Sequence, residues 1–196
     1  MITSLGSAAG RVGRWGFGLA LLAISAAHTA CASSSFSSTE PTERGDYSAT
    51  VAFATDTLQL SGNAIYSTTQ NNVGQIYFVF YLWTGDVNGT IYNVVWFQRE
   101  NLDVPGPGSY TIADVGGGAI PLDDFFALYA FADAAGAAAT FHSVTGTLTI
   151  DTSEFQEITG AFELIGAFDE DSYHSGTVGD SVQVNGTFRA EPGTIY

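Results

Sequence analysis

The segment QIYFVFYLWTGDVNGTIYNVVWFQR, residues 75–99, carries the strongest structural signal in the chain. Two runs of aromatic and β-branched residues flank the pair Asn88-Gly89. Asn-Gly is the preferred centre of a two-residue hairpin turn, because both central residues there adopt positive φ. With that turn Val87 pairs with Thr90, and the numbers of paired residues sum to 177. Phe80 then faces Phe97 and Leu82 faces Val95; with Ile76 and Phe78 they form one apolar face. The other face pairs Tyr81 with Trp96 and Trp83 with Val94, with Tyr77 and Tyr92 nearby. A single register thus gives both strands the same inner face, which an antiparallel hairpin against a core requires.

Similar strand signals recur on both sides of this hairpin, separated by Gly, Asn and Asp. They cover residues 47–54, 57–66, 110–113, 125–133, 140–150, 158–168 and 181–190. The expectation is eight to ten short strands in one antiparallel β-sandwich, with a closed β-barrel as the alternative arrangement. A second hairpin is expected from 146–150 through a connection at 151–157 to 158–162. It turns Leu148, Ile150, Ile158, Phe162 and Leu164 inward. Gly186 in the last strand reads as a bulge. Helix signal is weak: the Ala-rich stretch 134–139 is interrupted by Gly136 and supports one turn at best.

The organisation is that of a leader, a tether and one domain. Arg11 and Arg14 precede a short apolar stretch at 15–27, too short to span a bilayer and laid out as a secretory signal. Residues 1–30 are therefore read as signal peptide, 31–44 as a solvated Ser/Thr-rich tether, and 45–196 as the folded domain. Beyond the leader, three arginines stand against twenty carboxylates, a formal charge of −17, and lysine is absent. Such a balance excludes nucleic acid as a partner, since binding phosphate needs basic residues, and excludes docking on anionic lipid heads. The plain reading of the charge is solubility and mutual repulsion; the sharper one is cation binding or life in high salt.

Cys31 is the only cysteine, so no disulfide can form within the chain. Its setting, Ala26-Ala27-His28-Thr29-Ala30-Cys31-Ala32, resembles the lipobox of bacterial lipoproteins, in which the cysteine is acylated. His28 departs from that pattern, which has an aliphatic residue there. Ordinary cleavage after Ala32, leaving a secreted or periplasmic soluble protein, is the alternative. The second half of the chain also resembles a group of uncharacterised bacterial lipoproteins with a single β-sandwich domain. The shared motifs are Pro107-Gly108-Ser109-Tyr110-Thr111-Ile112, Gly146 through Ile150, Ile158 through Phe162 and Val184 through Phe188. The group has no established activity. The resemblance implies a fold and an anchored location in the cell envelope, at the outer membrane or cell surface, and no chemistry.

Catalytic constellations are sparse. His142 and Ser143 are neighbours in a strand, where consecutive side chains point to opposite faces, so they form a poor acid-base pair. Gly179-Asp180-Ser181-Val182 looks like one esterase nucleophile block, but its position in the chain and the missing downstream partners argue for a polar turn. Two carboxylate groups suit a hard cation such as Ca²⁺: Asp123 with Asp124, and Asp169, Glu170 and Asp171, with His174 beside them. Their spacing does not match an EF-hand, and solvated acidic turns explain them equally well. Tyr77, Tyr81, Trp83, Tyr92 and Trp96 can form a stacking platform for a glycan, or can pack beneath a loop. Asn88-Gly89-Thr90 and Asn185-Gly186-Thr187 match glycosylation triplets and read instead as turns. The sequence thus supports a lipid-anchored, non-catalytic binding module for a glycan, a cation or an envelope protein. A structural envelope component is the alternative, with a hydrolase third; no cofactor is indicated beyond Ca²⁺.

Overall fold

The computed structural model describes residues 45–71, 74–85, 92–114, 116, 121–134, 137–168 and 180–195. The leader, Cys31, the tether, the Asn88-Gly89 turn and the group Asp169, Glu170, Asp171 and His174 lie outside the described residues. Among the described residues nine strands form: β1 (Gly45–Ala52), β2 (Thr57–Gln70), β3 (Ile76–Gly85), β4 (Tyr92–Arg99), β5 (Gly108–Ile112), β6 (Phe126–Ala132), β7 (Ala138–Glu154), β8 (Glu157–Phe168) and β9 (Ser181–Pro192). No helix occurs among the described residues.

The strands make one antiparallel ladder that closes on itself. The ring runs β1-β2-β3-β4-β6-β7-β8-β9 and returns from β9 to β1. The all-β antiparallel expectation holds, and the closed sheet is its barrel alternative. β5 stands outside the ring. It pairs with the second half of β7, from Gly108↔Ile150 to Ile112↔Gly146, while β6 occupies the first half of the same edge.

The first hairpin has the register expected from its turn: Phe80↔Phe97, Tyr81↔Trp96, Leu82↔Val95 and Trp83↔Val94, with numbers summing to 177. Its inner row, joined by inner rows from the other strands, fills the lumen. Phe80 sits among the rings of Phe78 (5.1 Å), Phe188 (5.0 Å) and Phe125 (6.0 Å), and Phe97 meets Phe162 at 5.1 Å. An eight-stranded barrel is just wide enough for side chains to fill it, and here aromatic rings pack with Val, Leu, Ile and Ala. Ile76, expected in the inner row, is 48% exposed because it begins its strand opposite Gln70, beyond the packed lumen.

Three departures have local causes. The connection expected at 151–157 is mostly strand: β7 runs to Glu154 and β8 starts at Glu157, leaving Phe155-Gln156 as the turn. Within β7 the register shifts between Ser143 and Thr145, so odd-numbered residues face inward before Val144 and even-numbered ones after it. This bulge lies where β7 exchanges β6 for β5. The hydroxyl of Ser143, fully buried, bridges the gap: it accepts from Ala127 N (3.1 Å) and donates to Ala113 O (2.7 Å). Gly186 is no bulge, and Asn185-Gly186-Thr187 is no turn, since β9 keeps unbroken register with β1 and β8 through them. A Cβ on Gly186 would lie 2.4 Å from the Ser48 carbonyl oxygen, so close strand approach is what requires glycine.

β1 and β9 share one more detail. Past Gly45, β9 takes over the place of β1 beside β2, pairing in parallel at Ile65↔Glu191 and Tyr66↔Pro192. Gly45 sits where the two strands converge, with the Arg189 and Ala64 carbonyls on either side of it.

Candidate functional site

Side chains on the outer wall of the barrel divide by strand. On β1, β2 and β9 the outward positions are mostly polar, among them Asp46, Ser48, Thr50, Gln59, Ser61, Asn63, Gln183, Asn185 and Thr187, with Ile65 of β2 an apolar exception. On β3, β4 and β6 they are mostly apolar or aromatic, among them Tyr81, Trp83, Tyr92, Val94, Trp96, Phe126 and Leu128. The alternation that places Phe80, Leu82, Val95 and Phe97 inside forces these residues outside.

Four of the five expected platform residues come together. Ile65, Trp83 and Val94 form a buried cluster on the outer wall, with Tyr81, Tyr92, Trp96 and Ile195 packed against it. Tyr81 stacks on Trp83 (5.1 Å, 27° between planes) and meets Trp96 edge-on (5.4 Å, 77°). The surface is therefore a ridge of differently tilted rings and not a flat platform. Trp96 Nε1 donates to Gln98 Oε1 at 3.0 Å. Tyr81, Tyr92 and Trp96 remain half-exposed, whereas Trp83 is buried. Burial, with Tyr92 adding to it, pushes the Tyr81 phenol up to about 12. Tyr77 does not join the group. It is buried at the β2–β3 turn, its hydroxyl donating to Gln75 Oε1 (2.9 Å) and accepting from Asn71 Nδ2 (3.2 Å).

A concavity elsewhere on the barrel was not anticipated. Next to β5 a cleft of about 500 Å³ is lined by Arg99, Asp103, Ser109, Tyr110, Asp123 and Asp124 among others. Arg99 is 3% exposed, its guanidinium 5.3 Å from the Phe125 ring centroid and 5.6 Å from those of Phe78 and Tyr110. Its Nη2 donates to the Asp103 carbonyl, and its Nε is buried without a partner. Burial pulls the Arg99 pKa below its ordinary value, while Tyr110 and the carboxylates of Asp123 and Asp103 push it back up. An arginine stays charged in any such setting. The signal for this site lay in the hairpin register, which sets Arg99 opposite Phe78 in the inner row, directly beyond the apolar pairs Leu82↔Val95 and Phe80↔Phe97.

The acidic pair Asp123 and Asp124 lies on this cleft, with Asp123 Oδ1 accepting from Asn101 Nδ2 at 2.7 Å. Among the described residues no group of three or more His, Cys, Asp or Glu is placed to hold a metal ion. His142 faces outward between Leu128 and Ala167, and Ser143 faces inward, so the two do not meet. Asp180 and Ser181 stand exposed at the start of β9, where the Asp180 carbonyl accepts from Phe168 N (2.9 Å). Comparison with protein-family models, with characterised proteins and with solved structures finds no significant match.

Proposed function

We propose that the chain is an exported envelope lipoprotein, anchored through Cys31, whose barrel is a non-catalytic module that binds a glycan on its outer aromatic wall. The observation that carries this reading is the contrast around the barrel. Outward positions of β1, β2 and β9 are mostly polar, while those of β3, β4 and β6 present half-exposed Tyr81, Tyr92 and Trp96 around a buried base of Trp83, Val94 and, from β2, Ile65. A contiguous apolar patch on a water-facing wall marks an interaction surface. Rings with polar tips suit sugars, which offer apolar faces for stacking and hydroxyls for hydrogen bonds. A lumen filled with apolar side chains leaves recognition to the outside. Export and anchoring rest on the basic start, the short apolar stretch and the cysteine of residues 1–31.

The test is titration of the full-length chain, in detergent, with soluble cell-wall and surface polysaccharide fragments, followed by tryptophan fluorescence. Trp96→Ala and Tyr81→Ala are expected to weaken binding at least tenfold with the β-sheet circular dichroism retained. Unchanged affinity in both variants would sink the glycan reading. Radiolabelled palmitate incorporation that disappears in Cys31→Ser tests the anchor separately.

A further inference from the structure

β5 stands outside the closed ring, and its side away from β7 is only partly paired among the described residues. Thr111 O accepts from Phe125 N (2.9 Å) and Ala113 N donates to Phe125 O (2.7 Å), on the side of β5 away from β7. Backbone direction alternates along a strand, so Gly108, Tyr110 and Ile112 turn their amides toward β7 and Ser109 turns its amide the other way. The Ser109 N–H and C=O and the Thr111 N–H therefore lie on the free side, and none has a backbone partner there among the described residues. Both residues are exposed. Unpaired strand edges are templates for another strand.

The cleft opens along this edge. One buried arginine, Arg99, faces three carboxylates there, Asp103, Asp123 and Asp124, so the cleft is net acidic. The loops that carry these carboxylates also expose Leu102 (45%), Val104 (51%) and Leu122 (63%). We infer that the free edge of β5 accepts an extended segment of another protein as an added strand, with a lysine or arginine of that segment seated among Asp103, Asp123 and Asp124. Charge selects this occupant. Two copies of a chain carrying −17 beyond its leader repel each other, and carboxylates beside an edge are a known device against self-pairing. For a basic extended segment the same charges are attractive and steer the encounter.

The experiment uses the nitrogen-15-labelled full chain in detergent, with acetyl-Lys-Val-Lys-Val-Lys-amide as probe and its Glu counterpart as control. The Lys peptide is expected to shift the Ser109 and Thr111 amide signals, to slow their hydrogen exchange, and to bind several-fold more weakly as salt rises. Ser109→Pro removes a donor from the free side only, as proline is tolerated on edge strands, and should weaken binding about fivefold. Asp103→Asn with Asp124→Asn, whose carboxylates hold no hydrogen bond among the described residues, should erase the preference for Lys over Glu. The inference is overturned if the Lys peptide leaves both amides unmoved, if the Glu peptide binds as well to the wild-type chain, or if a well-folded Ser109→Pro binds like wild type. It is also overturned if those amides shift with protein concentration alone, which would make a second copy the occupant. Should Ser109→Pro fail to fold, the amide shifts and the paired asparagine variant still decide.

Discussion

Replacing Ser143 by alanine removes one oxygen and two hydrogen bonds from the point where three strands meet. The Ser143 hydroxyl takes the Ala127 amide proton at 3.1 Å and gives its own proton to Ala113 O at 2.7 Å, in a site 1% exposed. Ala127 is itself fully buried, so its N–H would be left with no route to water. An orphaned buried donor costs about 1–3 kcal/mol, and the lost bond to the carbonyl about 1 kcal/mol more. The total, about 2–4 kcal/mol, is a large share of the roughly 5–15 kcal/mol that holds a domain together. For a domain of this size each kcal/mol moves the midpoint by about 2–4 °C, so Ser143→Ala should melt on the order of 10 °C earlier. Thermal unfolding of the two full-length chains by near-ultraviolet circular dichroism measures it. Ser143→Thr, which keeps the oxygen, should recover part of the loss. A midpoint within about 1 °C of wild type would refute the view that this hydroxyl closes the seam between β6 and β5.

Other substitutions separate satisfied from unsatisfied groups. Tyr47 Oη is buried without a partner, whereas Tyr129 Oη donates to Asn93 Oδ1 at 2.6 Å. Tyr47→Phe should therefore be neutral or stabilising in denaturant titration, and Tyr129→Phe should cost about 1 kcal/mol. Gly186→Ala should destabilise by more than about 2 kcal/mol or prevent folding, because a Cβ there would lie 2.4 Å from the Ser48 carbonyl oxygen; soluble yield and thermal midpoint report it. Burial raises the phenols of Tyr47, Tyr129 and Tyr81, the last to about 12. The folded state then holds protons that the unfolded state releases near pH 10, so stability is intact below pH 10 and falls as pH climbs toward about 12. Ultraviolet titration of phenolate in folded and urea-unfolded protein should show that separation, and coincident curves would contradict it.

The fold was legible where one local rule governs many residues. The register expected from Asn88-Gly89 determines two faces, and alternation then sorts Phe80 inward and Tyr81 outward in agreement with the pairing found. Ser143 was not legible as a seam residue, because a bulge at Val144 depends on which strand lies across the sheet and leaves no mark in Ser-Val-Thr. Gly186 was misjudged for a similar reason: its demand for space comes from Ser48 and Ala49, far away in the sequence. The cleft gathers Arg99, Asp103, Ser109 and Asp123 from three separate segments, none a motif alone. Only the pairing of β4 with β6, β6 with β7 and β7 with β5 brings them together. Tyr77, grouped with the aromatic wall by parity, is withdrawn from it by the side chains of Asn71 and Gln75.

The ladder between β1 and β9 has a consequence for how the barrel is built in time. Asp46 and Arg189, bonded across it, are 143 residues apart in sequence. Every other neighbour in the ring is reached by the next strand or the one after it. Ribosomal synthesis delivers β1 first and β9 last, so β1 waits, open along one side, for nearly the whole of the domain to be made. Long-range pairing of this kind is slow, and a waiting edge can join to the wrong partner. The alternation of small, polar Asp46, Ser48 and Thr50 on one face of β1 keeps that edge from being a continuous apolar strip. A nascent chain stalled before β9 should accordingly be the species most prone to aggregate and most dependent on a holding chaperone, although every strand but one is already in hand.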